Sequence, residues 1–363
     1  MRTVVPALVL TLLMASVVHG ASWYVALNTT QVSLVVGPTN SSVVLNYVGE
    51  AREAVYMEVY ELTYTPLINE LVSLARHGVA VYVVLSCNVY GGVPQGELNA
   101  VGELRMAGAH VSFNCLYEYV HSKVFVIDNE TVILGSINPT YYGFTRDLGI
   151  DLVIHNSTIA RVFASIILSD YYNKTLEAVG YPGVVVSPIN SQEYLSELLS
   201  QPGPLVMAME ELYPSSGMYG LIQQHTQRLV LVGSHGENQY AVSELGAEMI
   251  SGLTAKAIVV GDYIYVGSVN LDYTSLHENR ELGIIIENPV IANEVASVIE
   301  SWAGMPSTSA SSTSTPSSSP SSTTLQSPAL STSTALIAVF FVILLAYLAK
   351  ALLRRGRRRR GYL

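Results

Sequence analysis

The strongest constraint on what this chain can fold into is an internal duplication. The segment HSKVFVIDNETVILGSIN, ending at Asn138, returns as GLTAKAIVVGDYIYVGSVN, ending at Asn270. The preceding segments match as well, since AVYMEVYEL corresponds to PLVMAMEEL and the helix and strand that follow it recur. A period of this size is a duplicated domain rather than a solenoid of small repeats, and two such halves can face each other across a pseudo-two-fold axis. Within each half apolar strands alternate with amphipathic helices, the pattern of an α/β layer structure. TPLINELVSLARHG, for example, predicts a helix capped by Thr65, with Pro66 at its first position and Gly78 at its end. A turn is expected at Asp128 and Asn129, a helix from Thr158 to about Tyr172, and a linker through Pro188. The first half is therefore placed at residues 21–188 and the second at 189–305.

The flanks have compositions that no packed core can use. Residues 1–20 join Arg2 to the apolar run VVPALVLTLLMASVV and lead to small residues at Gly20, Ala21 and Ser22, the pattern of a secretory signal peptide; the alternative is an uncleaved anchor. Residues 306–334 are almost entirely Ser, Thr and Pro and read as a disordered, O-glycosylated stalk. Residues 335–353 are apolar and long enough for one bilayer crossing at ~1.5 Å per residue. Arg354, Arg355 and Arg357 to Arg360 follow in the tail, residues 354–363, and predict a cytoplasmic C-terminus. The expected location is the cell membrane, single-pass, with the folded domain outside; the sequence sets no oligomeric state.

Charge is divided unevenly between these segments. All 28 acidic residues lie between Glu50 and Glu300, against ten Lys and Arg in the exported part, giving that part a formal charge of −18. Such a surface repels polyanions, which disfavours nucleic acid as a partner. Cys87 and Cys115 each close an apolar run, and could pair in an oxidising exterior or remain as two buried thiols. Sequons at Asn28, Asn40, Asn129, Asn156 and Asn173 fit an exported glycoprotein.

The chemistry-bearing residues sit in the repeated segment. On a strand, residues two apart share a face, so His121 projects with Lys123 and Ser136 with Asn138. Imidazole, ammonium, hydroxyl and amide together suit a phosphate: the cation and the donors hold its oxygens while His121 attacks phosphorus. These residues resemble the phospholipase D superfamily, whose signature HxK(x4)D(x6)GSxN is matched by His121, Lys123, Asp128, Gly135, Ser136 and Asn138 at every fixed position. The second half keeps Lys256, Gly267, Ser268 and Asn270 but has Thr254 in place of the histidine and Gly261 in place of the aspartate, with Asp262 one place later and a loop one residue shorter. The resemblance is thus to the two-motif form with a degenerate second motif.

The resemblance implies tandem phospholipase D-like α/β sandwich halves sharing one site, where one histidine becomes a phosphohistidine and the other protonates the leaving alcohol. It also implies that an acidic residue some eleven places after the GSxN asparagine orients the histidine of the other half. Glu281 fills that place for His121, whereas Gly149 stands there in the first half, with Asp147 and Asp151 nearby. The expected catalytic set is His121, Lys123, Asp128 and Glu281. The expected phosphate cradle is Ser136, Asn138, Lys256, Ser268 and Asn270, with no metal or cofactor required. Threonine cannot act as a general acid near neutral pH, so the proton-transfer pair is halved. His277 could swing in as a substitute or be a surface histidine, and Glu58 and Glu210, in corresponding strands, could reach the site or end exposed. The leading expectation is an extracytoplasmic phosphodiesterase acting on a phospholipid. Its rivals are a catalytically inactive module binding a phosphorylated lipid or glycan and, less favoured, an extracellular nuclease.

Overall fold

A computed structural model describes residues 22–305. The expected signal peptide, stalk, membrane span and basic tail lie outside the described residues. Among the described residues no helix is long and apolar enough to cross a membrane.

The chain opens with a short strand, β1 (Val25–Ala26), and then builds the first half: β2 (Val32–Val36), α1 (Val43–Gly49), β3 (Ala54–Val59), α2 (Thr65–Arg76), β4 (Ala80–Ser86), α3 (Gln95–Met106), β5 (His110–Asn114), β6 (Lys123–Ile127), β7 (Thr131–Gly135), α4 (Tyr141–Thr145), β8 (Ile150–His155) and α5 (Ser157–Tyr171). The second half repeats the order: β9 (Val184–Ser187), α6 (Ser191–Leu199), β10 (Leu205–Met209), α7 (Tyr219–Gln224), β11 (Arg228–Gly233), α8 (Gln239–Leu245), β12 (Glu248–Ile250), β13 (Lys256–Val260), β14 (Tyr263–Gly267), α9 (Tyr273–His277), β15 (Glu281–Glu287) and α10 (Pro289–Trp302).

Each half forms one mixed sheet. The first runs β2-β8-β7-β6-β3-β4-β5, and the second β1-β15-β14-β13-β10-β11-β12 with β9 also on β15. Two segments assigned by sequence to the first half, β1 and β9, thus hydrogen-bond to the last strand of the second. The structural repeat begins at β2 and β9. There Asn40 and Asn190 each accept a hydrogen bond from a strand N–H four residues back, Val36 and Val186, and each follows a cis proline peptide. It ends at α5 and α10, whose N-termini are closed by Asn156 and Asn288, each accepting from two backbone N–H groups.

The sheets pack face to face through one apolar layer, in which Val124, Val126, Leu134 and Leu152 of the first meet Ala257, Ile264, Val266 and Ile284 of the second. Phe163 and Ile167 of α5 and Val295 and Ile299 of α10 fill the same layer. Helices α1, α2 and α3 cover the outer face of the first sheet, and α6, α7 and α8 that of the second. A buried aliphatic side chain contributes ~1.5–3 kcal/mol relative to exposure, so the shared layer binds the halves into a single unit. The sulfurs of Cys87 and Cys115 are bonded, tying the ends of the adjacent parallel strands β4 and β5.

Candidate active site

The halves are stitched together at equivalent points, and those stitches place the site. In one crossing Arg280 N–H donates to Tyr119 and His121 N–H donates to the Arg280 carbonyl, both at 2.8 Å. In the pseudo-symmetric crossing Leu148 N–H donates to Gly252 at 2.8 Å and Thr254 N–H to Leu148 at 3.0 Å. The first brings His121 to Glu281; the second brings Thr254 to Gly149.

At the first crossing His121 Nδ1 lies 3.1 Å from both Glu281 carboxylate oxygens. Glu281 is fully buried and also accepts from Asn279 Nδ2 at 3.1 Å. That contact places the imidazole proton on Nδ1 and leaves the Nε2 lone pair free. Burial by itself would raise the Glu281 carboxyl, but His121 and Lys123 outweigh it and hold it below its ordinary value. Burial lowers His121, against the raising effect of Glu281, so the ring is neutral at physiological pH. At the second crossing Thr254 Oγ1 reaches only the Leu148 carbonyl, at 3.5 Å. A Cβ on Gly149 would sit 2.7 Å from Ile137 Cγ1, so Ile137 has closed the space of an acidic side chain.

Both lysines are buried beneath the cleft. Lys123 Nζ donates to the His121 carbonyl at 2.6 Å, and Lys256 Nζ to that of Thr254 at 3.0 Å. Burial and then the Lys256 charge lower Lys123 to about 7. Lys256 is ion-paired with Glu210, whose carboxyl is held well below its ordinary range by Lys256 and His235 despite burial. The cleft, about 220 Å³, draws Tyr60, Tyr119 and His121 from the first half and Glu211, Asn270 and Asp272 from the second. Asn270 is held against Glu211, accepting from its N–H at 3.1 Å, and Asn138 keeps a buried Oδ1 without a partner.

Several sequence expectations need correction. Asp128 is not beside His121: it lies beyond the far end of β6, five residues at ~3.3 Å each from Lys123, where it accepts N–H bonds from Arg52, Glu53 and Ala54. Its role there is to hold the start of β3. Gly261 correspondingly belongs to a tighter hairpin, and its φ of 57° is a conformation that glycine adopts without strain. Ser136 and Ser268 are fully buried, and their hydroxyls bond the backbones of Ile150 and Leu282, so neither faces a ligand. The glycines beside them allow this approach, for a Cβ on Gly135 would fall 2.2 Å from the Ile150 carbonyl.

Strand register also separates Glu58 from Glu210. Val59 and Met209 pair with Lys123 and Lys256, so the counterpart of Glu210 is Tyr60 and that of Glu58 is Ala208. Glu58 points into the interior, accepts from Ser122 Oγ at 2.5 Å, and is pushed well above its ordinary value by burial and the Asp170 charge. His277 is exposed on α9 and packs on Tyr273, away from the cleft. Asp151 accepts backbone bonds from Ser136 and Ile137 and is likewise structural. One residue at the site was passed over in the sequence: His235, directly after the repeated strand segment ending in Ser234. The position following that match was the available signal.

The class the fold and site define is a duplicated α/β domain with a histidine–carboxylate pair and two lysines at the seam between its halves. The family profile described as "Cardiolipin synthase, PLD-like domain" matches residues 44–171. A phospholipase D of Rickettsia conorii is 24% identical over 120 residues, which is 33% of this chain and 58% of that protein. The chain thus spans somewhat over half the length of that curated relative. Among solved structures, a phosphatidylserine synthase of Haemophilus influenzae superposes with a TM-score of 0.58 over 76% of this chain and 87% of that one, at 12% identity. A polyphosphate kinase of Porphyromonas gingivalis gives 0.57 over 75% and 50%, at 13% identity. These two likenesses concern the fold. The profile match, carried by the first half of the chain, and the curated relative support the phospholipase D superfamily.

Proposed function

We propose that this protein is an extracytoplasmic phosphodiesterase, held at a membrane by residues 335–353, that cleaves phospholipid through a phosphohistidine on His121. The observation that carries the reading is the His121–Glu281 pair, contributed by opposite halves and opening onto a cleft with Lys123 and Lys256 below it. Nε2 of His121 attacks phosphorus, Lys123 and Lys256 offset charge on the non-bridging oxygens, and Asn138 and Asn270 donate to them. As the imidazole gains charge, Glu281 stabilises it. Water then attacks the phosphohistidine and releases the product. Glu211 and Asp272 line the cleft, and Glu61 and Asp147 act on the charges of Lys123 and Lys256, a setting hostile to a polyanion.

The test is direct. The full-length protein is mixed with bis(4-nitrophenyl) phosphate, quenched in alkali to preserve phosphohistidine, and digested for mass spectrometry. The adduct is expected on His121 and absent from His121→Ala, with turnover of detergent-dispersed phospholipid and none of single-stranded DNA at low salt. Equal turnover by the two proteins would remove the reading. A second reading, a module that binds a phosphorylated lipid or glycan without cleaving it, is favoured by the loss of the pair at Thr254 and Gly149. It requires phosphate binding with no adduct.

The same geometry fixes a pH profile. His121 must be neutral to attack, so kcat/KM falls in acid below its depressed pKa, under the ordinary value of about 6.5. Lys123 must be charged, so kcat/KM also falls above about 7. Lys123→Arg keeps its charge, and on a nitrophenyl ester, whose leaving group needs no proton, its profile should stay level through pH 9; an unmoved basic limb would show that another group sets it.

A further inference from the structure

The second half lacks a histidine at 254, yet the structure sets another imidazole beside that position. Met209 pairs with Val232 as Val59 pairs with Leu85, which makes His235 the counterpart of Asn88, in the loop leaving β11 toward the cleft. A Cβ built on Gly233 would lie 3.0 Å from His235 Cδ2 and 3.1 Å from the Leu253 carbonyl, so the ring and the segment leading into Thr254 flank the same glycine. The loop is rigidly held: Asn238 is fully buried, donates to the carbonyls of Glu210 and Gly233 at 2.7 and 2.8 Å, and accepts from Leu212 N–H at 2.9 Å.

His235 faces a carboxylate on each side, Nε2 at 3.6 Å from Glu210 and Nδ1 at 3.8 Å from Glu211. Glu210 is also the partner of Lys256, one of the two lysines beneath the cleft. Those two separations are ion-pair distances, longer than hydrogen bonds, so one nitrogen can turn to a ligand while the other keeps its carboxylate. The ring is 44% exposed, and a substrate could reach it.

We propose that His235 is the proton donor to the leaving alcohol, performing from the β11 loop the task that Thr254 cannot. The role rests on the reading of His121 as nucleophile. In the first step the Nε2 lone pair of His121 forms the N–P bond, the P–O bond to the alcohol breaks, and the departing oxygen takes its proton from His235. In the second, water attacks phosphorus and gives its proton to the neutral His235, while the P–N electron pair returns to His121. Glu210 raises His235 above the ordinary histidine value, against the effect of partial burial, which favours the charged, proton-donating form. Glu210 acts here as a positioning residue. Asp147, also beside Lys256 and Glu210, is the competing donor.

Leaving-group dependence tests this, because a purely structural role would not move it. Full-length protein and His235→Gln are compared on methyl phenyl phosphate, whose phenolate leaves poorly without a proton, and on methyl 4-nitrophenyl phosphate, whose leaving group needs none. The variant should lose on the order of 10²-fold in kcat/KM on the phenyl ester and less than about threefold on the nitrophenyl ester. Equal losses on both, no loss on the phenyl ester, or a selective loss in Asp147→Asn instead would overturn the assignment of His235. If the unaltered protein turns over neither ester and matches His121→Ala, the phosphodiesterase reading itself fails and His235 falls with it. The two failures are therefore distinguishable.

Discussion

Glu281→Gln is expected to lower kcat/KM by on the order of 10³–10⁴-fold while leaving the protein folded. The carboxylate meets His121 Nδ1 with both oxygens at 3.1 Å and can only accept, so it fixes the proton on Nδ1 and keeps Nε2 as a lone pair aimed at the cleft. An amide of the same shape can present its NH₂ group to Nδ1, which moves the ring proton to Nε2 and blocks the nucleophile. It also withdraws the negative charge that balances the imidazolium formed as the N–P bond develops. Neutralising a buried acid removes a desolvation cost, and the amide can keep the bond from Asn279, so the melting temperature should change by only a few degrees. Activity within about threefold of the unaltered protein, in a variant with unchanged near-UV circular dichroism, would show that Glu281 does not orient the nucleophile.

The site was legible in the sequence where a fixed spacing encodes a fixed geometry. His121, Lys123 and Lys256 lie at or beside strands whose register the hairpins set, and Glu281 follows Asn270 by the same interval that separates Gly149 from Asn138. The resemblance set Gly149 at the place of the missing acidic partner, and a Cβ there would lie 3.5 Å from Thr254 Oγ1. It could not tell which motif residues look into the cleft. Asp128 shares the motif with Lys123 but sits a whole strand length away, and Ser136 and Ser268 turn their hydroxyls to the adjacent strand. The pairing of β1 and β9 with β15 was illegible for a related reason: neighbours across a sheet are chosen by long-range packing, and a two-residue strand carries too little pattern to reveal its partner. His235 departs from the first half's Asn88, so the duplication that exposed the rest of the site obscured it.

The least legible feature is a buried ion pair, and it should have the largest effect on stability. Arg280 is fully buried at a position where the other half has Leu148. Its guanidinium reaches Asp170 of α5 at 2.8 and 3.1 Å, donates to the Ser187 carbonyl at 2.9 Å, and lies 4.3 Å over the Tyr117 ring. Burial and the Asp170 charge push the neighbouring Glu58 well above its ordinary value, and Arg280 is the cation that offsets the Asp170 charge. Arg280→Leu, copying the other half, leaves that carboxylate buried without its counter-charge, with only Glu58 still bonded to it, and should destabilise the protein by ~3–5 kcal/mol in urea unfolding at pH 7. Burial already holds Asp170 above its ordinary value against the pull of Arg280, and with that partner gone it would titrate higher still in the folded state. It would take up a proton on folding in acid, so the deficit should shrink as pH falls toward 4. Adding Asp170→Asn should recover a large part of the loss at neutral pH, because the unpaired charge and not the missing bond dominates it. A single-variant loss below about 1 kcal/mol, or a deficit independent of pH, would mean that Asp170 finds another partner. The pair also bears on the chemistry, since the Arg280 backbone grips both Tyr119 and His121 and Glu281 is the next residue. A shift of that segment moves the nucleophile and its carboxylate together, and Arg280→Leu should therefore lose activity well before it unfolds.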